Sequence, residues 1–280
     1  MLYLIARIHI KGHVIYMITK KVYALSIKEV IKIIIIYYII AAGIIGLPLD
    51  IVIHAVKFGK NSLVKEIIFC ANQAIYEFGA ALLILNYVRK KGAEKLKFHG
   101  NLNIKLLLAT IFIFLSYSIV CSNSLDLLIS KIPVDDSLTE AFNLMSENIY
   151  LNLISAAIIA PIAEEIIMRG VILEGLLQKY RPWVAIVVSS LVFGIIHMNL
   201  PQFISATLGG IILGIVYFKT RSLILTIVGH ACNNIIASID IPINIVTLAI
   251  GLIVLAIAVL TFKKNTNIML KIGKGNSLQL

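Results

Sequence analysis

The sequence predicts an all-α, polytopic membrane protein of about eight transmembrane helices, and three observations carry that prediction. The chain of 280 residues is 60% hydrophobic and 14% charged, with a mean hydropathy of +0.98; soluble domains average about 45–50% apolar and about 25% charged. Its apolar residues gather into runs close to the ~20 residues that ~30 Å of hydrocarbon demands of a helix. Its lysines and arginines gather in the short links between those runs. The formal net charge of +11 therefore reads as loop charge at a lipid surface, and nucleic acid is excluded as a partner.

The first twenty residues carry Arg7, Lys11 and Lys20 among apolar positions. They lack the uninterrupted core and small-residue cleavage site of a signal peptide, and suggest an interfacial amphipathic helix. On such a helix His9 and His13 share a face as surface histidines. Hydrophobic spans follow at about 29–50, 66–88, 104–122, 147–169, 182–199, 202–218, 222–240 and 243–262. The fourth is expected to continue as helix to about Lys179, with a kink at Pro161. The sixth carries Ala206, Gly210 and Gly214 at spacing four, a small-residue stripe that lets helices approach closely. Three regions result: an N-terminal region 1–145 with three spans, a core 146–262, and a basic, polar tail 263–280. Cys70, Cys121 and Cys232 are scattered without CxxC spacing and read as apolar fillers, not as a disulfide or metal framework.

Loop charge sets the orientation. The segment Arg89 to Lys105 is basic, as are the links with Lys179 and Arg181, with Lys219 and Arg221, and the tail from Lys263. The alternate loops are acidic or uncharged, with Asp135, Asp136 and Glu140 in one and Asp240 in another. This alternation predicts a multi-pass protein of the cell membrane with both termini in the cytoplasm. The loop with Lys57, Lys60 and Lys65 runs against the pattern.

Within the spans, strongly polar groups are few. Glu164, Glu165 and Arg169 sit in the apolar stretch IIAPIAEEIIMRGVILEG, where a charge costs roughly 2.5–3.5 kcal/mol on insertion scales. Glu165 and Arg169 are four apart and can pair along the helix; Glu164, rotated by about 100°, is free to face another neighbour. His197 ends the fifth span one turn after Phe193, and His230 and Asn234 share a helix face in the seventh. Glu66 and Glu77 are further acids in the second span: Glu66 reads as interfacial and Glu77 is a candidate to face a cavity.

Depth brings these groups together. Glu164 and His197 lie about 16 residues from the turn at Tyr180 to Pro182, or about 24 Å at ~1.5 Å per residue. His230 and Asn234 lie about 14 and 20 Å above the turn at Thr220 to Arg221. A carboxylate in an apolar setting suits general-base activation of water, and a neighbouring histidine can share the proton. A second imidazole and the Asn234 amide can donate to a developing oxyanion. The set suits hydrolysis of an amide bond. Glu164, His197 and His230 would equally form a zinc set with water in the open position, although no HExxH is present.

Glu164-Glu165 with Arg169 matches EExxxR, Phe193 with His197 matches FxxxH, and His230 with Asn234 matches HxxxN. In this order, each in a hydrophobic span, they resemble the type II CAAX prenyl protease and bacteriocin-processing (CPBP, or Abi) family of intramembrane proteases. The resemblance covers about Ser155 to Ile239. It implies an eight-helix fold with the active site inside the membrane, in which Glu164 and His197 activate the water and His230 and Asn234 stabilise the oxyanion. Glu165 and Arg169 would be structural or supporting, and Phe193 would pack beneath the site. The family has been described both as metalloproteases and as metal-independent glutamate proteases. The implied activity is an intramembrane endopeptidase acting on a membrane-associated peptide or protein. Isoleucine-, lysine- and asparagine-rich usage points to an AT-rich bacterial genome, which favours a bacteriocin, pheromone or leader over a prenylated protein. The alternatives are a non-enzymatic immunity or scaffold protein and a transporter; nothing in the spans resembles the paired broken helices of the last.

Overall fold

The structure is a computed structural model that describes residues 3–10, 13–20, 23–35, 43, 63–93, 96, 98–132, 149–239 and 241–276. Most of the expected span at 29–50, the dissenting Lys57 and Lys60, and the acidic Asp135, Asp136, Glu140 and Asp240 lie outside the described residues.

The chain opens with a two-stranded antiparallel hairpin, β1 (Tyr3–Ile10) and β2 (His13–Lys20). This corrects the expected amphipathic helix. Both runs are rich in β-branched and aromatic residues, which favour strands, and Gly12 interrupts any helical register between them. His9 pairs with Val14 and His13 with Ile10 in the ladder, so the two histidines do not stand one helical turn apart.

All other regular elements among the described residues are helical. They are α1 (Ile27–Ile33), α2 (Leu63–Lys90), α3 (Ile104–Ser122), the short α4 (Leu125–Ile129), α5 (Ile149–Leu177), α6 (Pro182–Ile195), α7 (Leu200–Thr220), α8 (Leu223–Ala237) and α9 (Ile245–Asn276). Five of these carry segments long and apolar enough to cross a membrane, and α6 and α8 are shorter apolar helices. The protein is thus an all-α polytopic membrane protein with five to seven such helices among the described residues. Only 17% of the best apolar window of α9 is buried, so most of that helix faces outward, where hydrocarbon would meet Ile253, Ile257 and Leu260.

Helix ends follow local chemistry. Ser26 and Glu29 form a reciprocal capping box at the start of α1, and Asn103, Asn199 and Ser222 cap α3, α7 and α8 by accepting backbone N–H bonds. Within α5 the ladder widens twice into π turns, at Ser155–Ile159 and Ile166–Leu173. The first answers Pro161, which has no N–H to donate. The Ala160 N–H goes to the Ser155 carbonyl, five residues back, and the next N–H in line is missing at Pro161. The Ala156 carbonyl is thereby left without its usual in-helix donor.

Packing explains the small residues. α6 lies against α7, α9 and α8 against α3, and α2 against α5. A Cβ at Gly194 would stand 2.2 Å from Thr207 Oγ1, one at Gly210 3.2 Å from Ser190, and one at Gly214 3.0 Å from Ile186. The stripe on α7 is therefore a close-packing seam, as its spacing predicts.

The basic links gather at one end of the molecule. Leu25 N–H donates to the Gly175 carbonyl and Ile27 N–H to the Tyr180 hydroxyl. Lys91 pairs with Glu29 at 3.1 Å, Arg221 pairs with Glu174, and Asn101 N–H donates to Thr220. The start of α1, the α2–α3 link, the end of α5 and the α7–α8 turn thus share one face. At α3's other end, Asn123 accepts from the Asn244 N–H (2.8 Å) and the Thr247 hydroxyl (3.1 Å), joining it to the start of α9.

Candidate active site

Glu165 and Arg169 are fully buried on α5 and form an ion pair, with Arg169 Nη1 donating to Glu165 Oε1 at 2.7 Å. A charge so placed needs partners on every side. Arg169 Nη2 donates to the Gly210 carbonyl at 3.1 Å, and its guanidinium lies 4.8 Å from the centre of the Phe193 ring. His230 Nδ1 meets Glu165 Oε1 at 3.0 Å. Glu165 Oε2 and Arg169 Nε have no hydrogen-bond partner among the described residues. Three helices are pinned by this cluster: α5, α7 through its backbone, and α8 through His230.

Glu164, one position earlier, is 13% exposed, and its Oε2 stands 3.8 Å from His230 Nε2. One imidazole therefore addresses both glutamates, Glu165 through Nδ1 and Glu164 through Nε2. The straight-helix depths set Glu164 well above His230. The π segment at Ile166–Leu173 narrows that gap, because a π turn spends more residues per unit rise than an α turn.

His197 lies two residues beyond the last residue of α6, on a turn rather than within a span. Its Nδ1 is 2.8 Å from the Phe193 carbonyl. A carbonyl only accepts, so Nδ1 carries the proton and Nε2 is left as the basic nitrogen. The turn is fixed on both sides. Met198 takes a left-handed backbone (φ 57°), and Asn199 donates to the His197 carbonyl at 2.9 Å while capping α7. Phe193 touches both imidazoles edge-on, with ring centres 5.2 Å from His197 and 5.5 Å from His230.

Asn234 Nδ2 donates to the Ala156 carbonyl at 2.8 Å, the group that Pro161 leaves free. One amide hydrogen is so engaged and the other remains. His197, His230 and Asn234 all line a cavity of about 310 Å³ between α3, α6, α7 and α8. Tyr117, Ser118 and Cys121 of α3 and Asn233 of α8 line it too, with Ser118 Oγ donating to Asn233 Oδ1 at 3.0 Å. The motif residues gave no signal for this α3 wall. Glu77 is not on the cavity wall; it is buried on α2 and accepts from Gln73 at 2.8 Å.

Among the described residues no three His, Cys, Asp or Glu side chains are gathered to hold a metal ion. The Nδ1 atoms of both histidines are engaged, His197 by the Phe193 carbonyl and His230 by Glu165, which leaves each Nε2 as the nitrogen that can face a water or a metal. Glu164, His197 and His230 are not gathered as a metal set among the described residues.

The fold and site define a polytopic helical membrane protein with a buried Glu–His–Arg network opening on a cavity. Residues 146–236 match the family model "Type II CAAX prenyl endopeptidase Rce1-like". This stretch, which holds every motif residue, is homologous to the Rce1-like CAAX protease, or CPBP, family of membrane peptidases. The chain is 30% identical over 154 residues to "Putative membrane peptidase YdiL" of Bacillus subtilis (strain 168), a match that takes in 55% of this chain and 63% of that protein. The matched region thus spans less than two thirds of the relative's length. No solved structure matches the chain.

Proposed function

We propose that the protein is an intramembrane endopeptidase that hydrolyses a peptide bond of a membrane-associated peptide or protein. The observation that carries this reading is the network of Glu164, Glu165, Arg169 and His230 within the stretch homologous to membrane peptidases, in which His230, with Phe193 and His197, also lines a cavity.

Glu164 is the general base for water, assisted by the basic Nε2 of His197. The water oxygen bonds to the scissile carbonyl carbon while its proton passes to the base. The carbonyl oxygen takes up the negative charge and receives hydrogen bonds from the free Asn234 N–H and from His230 Nε2. His230 must hold both ring protons to do this, because Nδ1 donates to Glu165. Collapse of the intermediate breaks the C–N bond, and the stored proton goes to the leaving amine. Glu165 is then the positioning residue for His230, and Arg169 balances its charge. Gathering of the basic links on one face supports a cytoplasmic placement of that face. It also supports eight crossings with both termini inside.

The test compares wild-type protein with Glu164→Gln and His197→Ala, reconstituted in lipid, on membrane peptides recovered from the host. Each substitution is expected to lower turnover by at least ~10²-fold with the melting temperature kept. Wild-type turnover in either folded variant would overturn this reading of the site, whereas no turnover by the wild type, with the cellular phenotype intact in both variants, would favour a non-enzymatic membrane factor.

A further inference from the structure

Four helices line the cavity; three do so only with the half remote from their basic link, and α7 does so with that half and one residue beyond it. On α3 the lining residues run from Phe114 to Ser122, while Lys105 marks the other end. On α7 they run from Gln202 to Leu213, stopping six positions short of Lys219; on α8 they begin at His230, eight positions past Ser222. α6 contributes Phe193 and His197 at the end opposite Arg181. The cavity thus opens on the face away from the basic links. With those links in the cytoplasm, its mouth is extracytoplasmic.

The mouth has a sign. Asp126, exposed on α4, is the one Asp, Glu, Lys or Arg among the lining residues. It lies within electrostatic reach of Tyr117 and Cys121 deeper in the cavity. Asp126 and the α3 wall fall outside residues 146–236, the stretch that matches the family model. At about 310 Å³ the space sits at the small end of ligand pockets, roughly 300–1,000 Å³. That suits a short extended stretch of peptide rather than a folded partner.

We propose that this cavity admits its peptide from the extracytoplasmic face, and that Asp126 at the mouth selects a cationic group on that peptide. The proposal rests on the peptidase reading for what happens to the peptide, but its geometry can be tested without turnover. Cys121 lines the same cavity and serves as the reporter.

In a Cys70→Ser/Cys232→Ser background, intact cells are treated with membrane-impermeant methanethiosulfonates bearing either a trimethylammonium or a sulfonate group. The expected result is modification of Cys121 from outside, with the cationic reagent about fivefold faster than the anionic one after correction for their rates on a free thiol. Asp126→Asn is expected to bring the corrected ratio close to one. Labelling only after permeabilisation would overturn the extracytoplasmic mouth. So would labelling only after unfolding. An equal ratio before and after the Asp126 change would overturn the cationic selection. In a second arm, reconstituted protein cleaves tethered peptides that differ only in Lys or Glu beside the scissile bond. A several-fold preference for Lys that Asp126→Asn abolishes supports the proposal, and equal cleavage refutes it. If the thiol results hold while the wild-type protein cleaves none of the peptides, the cavity assignment stands and the peptidase reading falls.

Discussion

Replacing Arg169 with methionine takes from the Glu165 carboxylate, a group with no solvent exposure, its arginine partner and leaves it the His230 Nδ1 contact alone among the described residues. Removing one partner of a buried ion pair costs about 3–5 kcal/mol. The Gly210 carbonyl and the Phe193 ring lose their contacts with the guanidinium as well. Glu165→Met strands the guanidinium instead, at a similar cost. If the two losses were independent, the double variant would lose about 6–10 kcal/mol. Most of each loss is the unpaired charge, however, and the double variant has none. Among the described residues Glu165 Oε2 and Arg169 Nε already lack partners, so the native pair is itself imperfectly solvated by protein. The Glu165→Met/Arg169→Met protein is therefore expected to lose no more than about 3 kcal/mol, a coupling of about 3 kcal/mol or more. The assay is a double-mutant cycle on reversible unfolding in detergent micelles. Singles that add to within ~0.5 kcal/mol would refute the reasoning. Hydrolysis should not recover with stability, because His230 Nδ1 has lost its acceptor.

Pro161→Ala restores an N–H that can bond within α5, so Asn234 is expected to lose its hold on Ala156 and kcat to fall with KM little changed; unaltered kinetics would show that the freed carbonyl does not position Asn234. Asn234→Ala is expected to lower kcat by about 10²–10³-fold as the loss of an oxyanion donor, measured beside thermal unfolding to separate chemistry from folding. Gly194→Ala drives a methyl into Thr207 and the Phe203 carbonyl and should cost about 1–3 kcal/mol; a melting temperature equal to wild type would contradict the tight α6–α7 crossing. Extensive chelation should leave turnover intact, whereas loss restored by added zinc would show that the attacking water is activated by a metal and not by Glu164 and His197 alone.

Hydropathy read most of the helices well because a bilayer leaves few alternatives: the span expected at 104–122 is the helix Ile104–Ser122. Continuation of the fourth span was visible because no proline intervenes before Lys179, and Glu174 and Gln178 are polar residues that a helix accepts readily. The N-terminal hairpin escaped because charges spaced along a short apolar run fit both an amphipathic helix and a strand, and β-branched content decides between them. At the site, i,i+4 spacing gave the Glu165–Arg169 pair directly, since that contact is local. The His230–Glu165 contact spans 65 positions in sequence, and depth along two helices cannot say which faces meet. The depth estimate also took α5 as uniform, and the two π turns, which hydropathy does not register, broke that assumption. Tyr117, Ser118 and Asp126 carry no motif and became visible only when α3 was seen to wall the cavity.

Arg221 closes the α7–α8 turn with a left-handed backbone, φ 53°, at a position where glycine is the usual choice. Gly100 lies directly beneath, where a side-chain carbon would meet the Arg221 carbonyl at 2.2 Å, so the neighbouring loop has given up its own side chain to this turn. The arginine bears a conformational cost of about 1 kcal/mol or more, and it ties α5 through Glu174 while adding a positive charge to the basic face. One side chain thus serves both the fold and its insertion: the instruction for which way the protein faces is written into a tertiary contact. Glycine at 221 would relax the turn and leave the helices in place, but the nascent chain would lose part of its compass.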